Sequence, residues 1–550
     1  MVKRVLNFLN KGQDGINQAA ILLAIFAFLA QILGLIRDRA LASIIGPGTT
    51  LDVYYAAFKI PDFIFISVAS LSSVMVLLPF LADKINAKEE ANRFFNNIFS
   101  VFSGLLILTS IITFFIMPVL VKLIVPGFDS EAQKMTLDLS RIMLLSPIFL
   151  GLSTMFGSIT QLFKKFFVYS LSPVFYNFGI LLGVVWFYKM LGINGLAIGV
   201  ILGALLHFAI QIPIIYKLNF RPRITFDINW LEIKQVVMIS LPRTLGLALN
   251  SITLIILLAF ASKMSAGSIS IFNLALNLKT VPLTLIGISY STAAFPTLTI
   301  LINEKEKFFH ELSLAGRQII FWSLPALVLF IILRAQIVRV ILGAGLFSWD
   351  DTRLTAAALA LFALSITAHS LVLLFTRAFY AGQRTFRPFL INLISAFITV
   401  VFAFAFVKLL KNSEVIIFIK ALLRVGDLSN TLILTLPLAY SIGTIINCLL
   451  LWLFLKRDFN VPGLGLFRTF SQSAVAAFIA GVVAYLFLVI FGKIFNLNTL
   501  AGIFAQGFFA GILAILAGVS MLFFLGNQEL KNIITILKTK FWKTKVVISE

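Results

Sequence analysis

The chain has 550 residues, 60% of them hydrophobic and 12% charged, with a formal net charge of +22 at pH 7. Soluble proteins carry about 25% charged residues, so this much apolar side chain cannot be buried in a water-soluble core, and a soluble globular protein is excluded. The basic excess sits in short loops between apolar runs, which is membrane topology and not a nucleic-acid-binding face.

Apolar runs of about 20 residues mark transmembrane helices. They place about fourteen spans near 16–36, 53–82, 94–120, 139–162, 168–188, 193–216, 235–262, 270–302, 316–341, 356–381, 387–410, 433–455, 470–491 and 502–525. The basic start (Lys3, Arg4, Lys11) leads into a run of span length with no small-residue cleavage site, so 16–36 reads as the first permanent helix. With the N-terminus inside, Lys and Arg gather on the cytoplasmic side, and an even span count puts the basic tail from Lys531 to Lys545 inside as well. The expected organisation is an N-lobe over 1–216 (spans 1–6), an interfacial linker over 217–234, a C-lobe over 235–455 (spans 7–12), and 456–550 with spans 13 and 14 and the tail. The linker, with Trp230 and a cap at Asp227, reads as an interfacial amphipathic helix. The segment 414–430 reads as a second interfacial piece on the outside.

An internal duplication accompanies these spans. Pro61 and Pro282, Pro79 and Pro296, Pro173 and Pro388, and Asn177 and Asn392 recur 221, 217, 215 and 215 positions apart, in similar settings. Six spans separate the copies, so both have one orientation. This is the pattern of two pseudo-symmetric six-helix lobes facing each other across a site, followed by two C-terminal helices.

Ionisable groups within spans are costly and are functional candidates by default. The string LGLIRDRALASIIGPGTTLDVYYAAFKIPD places Arg37, Asp38, Arg39, Asp52, Lys59 and Asp62 around the first two helices, with Gly46 to Gly48 interrupting the helix. Arg37, Asp52 and Lys59 read either as a polar cavity lining that suits an anionic ligand or as a wet loop, and Arg39 as a loop anchor. In the second half Arg243, Asn277 and Lys279 fall inside spans, whereas Arg377 reads as an interfacial anchor. The single cysteine, Cys448, excludes a disulfide framework, and His207, His310 and His369 are too scattered to suggest a metal cluster. No carboxylate pair flanks a nucleophile and no glycine-rich phosphate loop follows a strand, so nothing supports an enzyme.

At these strings, and at TRAFYAGQRTFRPFLIN near span ten, the sequence resembles the MurJ/MviN family. These are lipid II flippases within the multidrug/oligosaccharidyl-lipid/polysaccharide exporter superfamily. The resemblance covers nearly the whole chain and implies alternating access, in which two lobes rock about a cationic central cavity that takes the pyrophosphate and sugar head group. It implies that Arg37 is the cavity arginine with Asp38 beside it and that Asp52 and Lys59 are the motif's acidic and basic positions; Arg243, Asn277 and Lys279, read from their place inside spans, complete the candidate substrate-binding set. Where the family carries further charges, this sequence has Gln31, Phe65, Ser70 and Asn277, and an aspartate of the span-ten motif is replaced by Arg384. The implied activity is movement of lipid II from the inner to the outer leaflet of the bacterial inner membrane. The alternatives are export of another undecaprenyl-linked oligosaccharide and a scaffold for envelope assembly. Expected partners are the lipid-linked glycan and membrane lipids, with no nucleic acid, for a chain acting as a monomer. No cofactor is expected, and coupling to a monovalent ion or to membrane potential is left open.

Overall fold

The computed structural model describes residues 16–71, 74–84, 87–409, 414–459 and 465–541. Two compact units divide the chain, Met1–Asn273 with Ile341–Asp351 and Leu274–Val340 with Thr352–Glu550. The described residues form helices joined by short turns and connections, with no strand among them. That follows from the solvent: within hydrocarbon a backbone donor or acceptor has no water to bond, and a helix satisfies each within its own segment.

The first unit opens with α1 (Ile16–Ile44), which ends at the Gly46-Pro47-Gly48 turn, where Gly46 adopts φ 75°. Next comes α2 (Thr49–Ile64) with Pro61 inside it. A proline leaves the carbonyl four residues earlier without its helical donor, and here Ser140 Oγ donates to that carbonyl, Ala57 O, at 3.2 Å. A π-helical turn, Phe65–Ala69, follows, and then α3 (Val74–Asp83), α4 (Lys88–Ile124), α5 (Ser130–Met143) and α6 (Leu145–Leu162). The next helix, α7 (Phe166–Leu182), passes through the π turn Gly183–Phe187 into α8 (Tyr188–Leu191) and packs against α9 (Ile193–Ala209). Glycines set this contact. A Cβ on Gly179 would stand 2.3 Å from Gly203 Cα, and one on Gly199 would stand 2.4 Å from Gly183 Cα. The two backbones touch through small residues four apart, the arrangement by which helices associate in lipid.

The segment after α10 (Ile212–Lys217) corrects the expected amphipathic helix. Residues 218–229 are not helical. Instead, Arg223 N donates to Asn96 Oδ1 at 3.0 Å and Thr225 N to Ser100 Oγ at 2.8 Å, so polar side chains of α4 take the donors that a helix would have used. Asp227 is not the cap; it pairs with Arg93 at 2.8 Å. The cap of α11 (Trp230–Ser262) is Asn229, whose Oδ1 accepts from Leu231 N and Glu232 N. The first unit closes within α12 (Ser268–Pro282).

The second unit continues from α12 through the π turn Leu283–Ile288 to α13 (Ser289–Ile300), α14 (Lys305–Ile332) and α15 (Arg334–Leu342). The pair α16 (Trp349–Ala363) and α17 (Ile366–Ala381) is bent by 44°. Then come α18 (Phe386–Leu409), α19 (Glu414–Leu423) in the expected outer interfacial segment, and α20 (Thr435–Phe459). The last elements are α21 (Leu466–Ile494), α22 (Leu500–Phe524) and α23 (Gln528–Phe541). Leu530 of α23 packs with Phe321, Ala476 and Leu522, and buried Glu529 lies 3.5 Å from Arg317.

Among the described residues, eleven helices are long and apolar enough to span a membrane, or twelve with the bent pair taken as one span. Adding α1 and the broken run from α2 to α3 matches the expected fourteen. The protein is an all-α polytopic membrane protein.

The duplication is visible as repeated local geometry. A π turn follows Pro61 in one copy and Pro282 in the other. The residues preceding α4 and α14, Ala87 and Glu304, share φ −104° with ψ 81° and 76°. Left-handed residues Lys164 (φ 54°) and Gln383 (φ 57°) end α6 and α17. Each end is closed by the same six-to-one bond, Lys165 N to Thr160 O at 2.7 Å and Arg384 N to Phe379 O at 2.9 Å. These caps lie 219 positions apart, so Pro173 and Pro388, at 215, stand about one helical turn out of step with them. Pro173 is the eighth residue of α7 and Pro388 the third of α18.

Candidate functional site

Three charged groups of the first unit are each held by polar groups remote in sequence. Near the end of α1, Arg37 clasps Asp38, with Nε at 3.0 Å and Nη2 at 2.8 Å from the same carboxylate oxygen, while Nη1 donates to Asn177 Oδ1 at 3.0 Å. Asp38 is buried and the Arg37 side chain is 22% exposed, and each of the three guanidinium nitrogens has a partner. Asn177 is itself oriented by α7, donating to Pro173 O at 3.1 Å.

Asp52, 2% exposed, accepts from Gly267 N and Ser270 N, both at 2.7 Å, and from Ser270 Oγ. Those are the donors that the start of α12 leaves without helical partners. A carboxylate placed there both bonds them and meets the positive end of the helix dipole. Asp52 is thus a capping residue supplied by α2 to another helix. Two turns further along α2, Lys59 Nζ donates to Asn273 Oδ1 at 3.0 Å. Arg39, read as a loop anchor, donates to Ile341 O at 3.1 Å.

Arg243 is half-buried on α11, next to Thr244, whose hydroxyl accepts from Ser70 Oγ at 2.9 Å. Asn277 is half-buried one turn beyond Asn273. Lys279 departs from the expectation of a group facing water. It has no solvent exposure, and its Nζ lies 2.8 Å from His369 Nδ1 and 4.8 Å from the centre of the Tyr440 ring.

The polar residues that hold these charges were not singled out as a site by sequence reasoning: Asn273 and Ser270 look like ordinary small polar residues of an apolar helix. His369 carried a usable signal, because an ionisable ring in the middle of a span calls for a partner. The scatter of the three histidines argues against a metal cluster but says nothing about such a partner.

The family model described as "Lipid II flippase MurJ" matches residues 41–505. The chain belongs to the lipid II flippase MurJ family. Asp52, Lys59, Arg243, Asn277 and Lys279 lie within the matched residues, and Arg37 and Asp38 stand just before them. The "Probable lipid II flippase MurJ" of Rickettsia prowazekii is 29% identical over 396 residues, covering 69% of this chain and 76% of the relative. That of Buchnera aphidicola subsp. Acyrthosiphon pisum is 28% identical over 374 residues, covering 66% and 72%. Among solved structures, a lipid II flippase MurJ in an inward closed conformation superposes with a TM-score of 0.73 at 23% identity, covering 94% of this chain and 100% of that one. An inward-facing multidrug resistance transporter of the MATE family superposes with a TM-score of 0.65 at 14% identity, covering 80% and 98%. These two likenesses concern the fold.

Proposed function

We propose that this protein is a lipid II flippase. In this reading it carries the lipid-linked peptidoglycan precursor from the cytoplasmic to the outer leaflet of a bacterial inner membrane by alternating access, with both termini in the cytoplasm and without catalysing a covalent step. The family match across residues 41–505 is the observation that carries this reading. The chemistry of the first unit supports it, since Arg37 and Lys59 are two cations in apolar surroundings that each donate to a neutral side-chain amide. A pyrophosphate offers oxygens that accept charge-assisted hydrogen bonds from both.

Complementation of a conditional lipid II flippase deletion tests the assignment: growth after depletion of the resident flippase supports it. Loss of rescue by an expressed, folded chain would instead favour another undecaprenyl-linked oligosaccharide, the reading to which Gln31, Phe65 and Asn277 point. The residue-level test is head-group translocation at matched expression. Lys59→Met is expected to slow it about tenfold or more, the equivalent of one charge-assisted hydrogen bond of about 1.5–3 kcal/mol. Arg37 needs a paired design, because Arg37→Gln alone removes the 2.8 Å partner of a buried carboxylate and destabilises the fold. The double variant Arg37→Gln/Asp38→Asn is expected to fold and to translocate as slowly as Lys59→Met. Wild-type rates in both variants would remove these cations from the mechanism.

A further inference from the structure

A buried ammonium ordinarily faces a carboxylate. Lys279 has none among the described residues. Its polar surroundings are the Nδ1 of His369 on α17, 2.8 Å away, and the face of Tyr440 on α20, whose hydroxyl lies 3.4 Å from the same Nδ1. Within two helical turns of these three residues, α12, α17 and α20 supply no other ionisable side chain, the next being Arg377 and Cys448, each eight residues on, or about 12 Å along the axis. The neighbouring elements add little. The α13 helix brings Tyr290, α18 has no ionisable residue along its middle, and α14, which meets α17 through Ser323 and Thr367 at 3.0 Å, carries Arg317 beside Glu529.

We propose that Lys279, His369 and Tyr440 form a proton-binding site that switches the interior of the second unit between one positive charge and none. In the charged state the ammonium donates to Nδ1 of a neutral imidazole whose proton is on Nε2, and the Tyr440 ring faces the cation. Discharge passes the ammonium proton to Nδ1 while the Nε2 proton leaves. What remains is a neutral amine accepting from Nδ1–H, and one proton has been released. A second proton would set imidazolium against ammonium at 2.8 Å with no carboxylate to compensate, so the site cycles a single proton. His369 is half-buried where Lys279 is sealed, which makes the imidazole the port and the amine the seat. The site stands apart from the head-group chemistry assigned to Arg37 and Lys59 and does not rest on it.

The test is a titration of the full-length protein labelled with 15N-histidine, in lipid nanodiscs without substrate. The His369 resonances are assigned as those lost in His369→Gln. The expected result is an exchange of the protonated nitrogen from Nε2 to Nδ1 as pH rises, together with release of one proton per chain. Both are expected to be lost in Lys279→Met, which fills a similar volume without a charge, and in Lys279→Arg, which stays protonated throughout. An unchanged tautomer exchange and proton count in Lys279→Met would overturn the proposal, as would a wild-type imidazole that holds one tautomer across the whole range. Thermal unfolding midpoints of all variants keep a folding failure from being read as a lost site, and whichever of the substitutions folds decides the outcome. Because no lipid II is present, failure here is separate from failure of the flippase reading.

Discussion

Gly199→Ala is expected to be among the most destabilising single-methyl additions in the protein. The new Cβ would stand 2.4 Å from Gly183 Cα, with Gly179 O 3.1 Å away. Ordinary carbon contacts are about 3.5–4.0 Å. The obstruction is backbone, so no rotamer relieves it and α7 and α9 must part by about 1 Å. That forfeits packing along the whole glycine seam, where a Cβ added at Gly179, Gly183, Gly195 or Gly203 would likewise stand closer than 3.0 Å to backbone atoms. A loss of about 3 kcal/mol is expected, read as a lowered midpoint of thermal unfolding in detergent. Gly104→Ala is the control. It lies in α4 with nothing within 4 Å of the new methyl, so helix propensity alone predicts no loss and a gain of up to about 1 kcal/mol. Equal midpoints for the two variants would show that the seam can widen freely.

Asp52→Ala should be the second large effect, and it separates a structural role from a ligand-binding one. It strips Gly267 N, Ser270 N and Ser270 Oγ of their shared acceptor at a site 2% exposed. Leaving a buried donor unsatisfied costs about 1–3 kcal/mol, and with partial relaxation the total expected is about 3–5 kcal/mol. Asp52→Asn keeps one acceptor oxygen but turns an amide donor toward another donor, so an intermediate loss is expected. Ser270→Ala, which removes one donor and leaves the acceptor satisfied, should cost about 1 kcal/mol. That rank order in thermal stability marks Asp52 as the cap of α12. Variants that keep wild-type stability yet slow translocation would return it to the substrate site.

The sequence made the membrane class, the approximate spans and the family legible, because apolar run length and the spacing of the Arg37–Asp62 string are local properties. It also made Arg37 and Lys59 visible as charges in apolar surroundings. What it could not supply were the partners. Asn177, Asn273 and Ser270 lie 140, 214 and 218 positions from the groups they hold, and no periodicity encodes a contact across such a distance. Asp52 resembled a cavity carboxylate because sequence shows a charge near a span and not the helix end it meets. The linker at 218–229 misled for a different reason: its amphipathic composition fits a helix, but Asn96 and Ser100 of α4 offer its backbone competing partners. Pro173 and Pro388 recur 215 positions apart and the left-handed caps at Lys164 and Gln383 219 apart, so proline spacing alone does not give the register of the repeated caps.

The paired π turns at Phe65–Ala69 and Leu283–Ile288 re-phase the helices that contain them. Such a turn accommodates an extra residue relative to an α-helix, and each residue advances the winding by about 100°. Everything beyond the turn is therefore rotated by roughly that angle from where an unbroken helix would aim it. In the second span the residue directly after the turn, Ser70, lies 2.9 Å from Thr244, and in the eighth the turn itself holds Gly287, so close to Ser370 that a Cβ there would stand 2.8 Å from the serine Oγ. A helical wheel drawn continuously through either span assigns its second half to the wrong face, so comparisons of lining residues among relatives need two wheels per span, joined at the π turn.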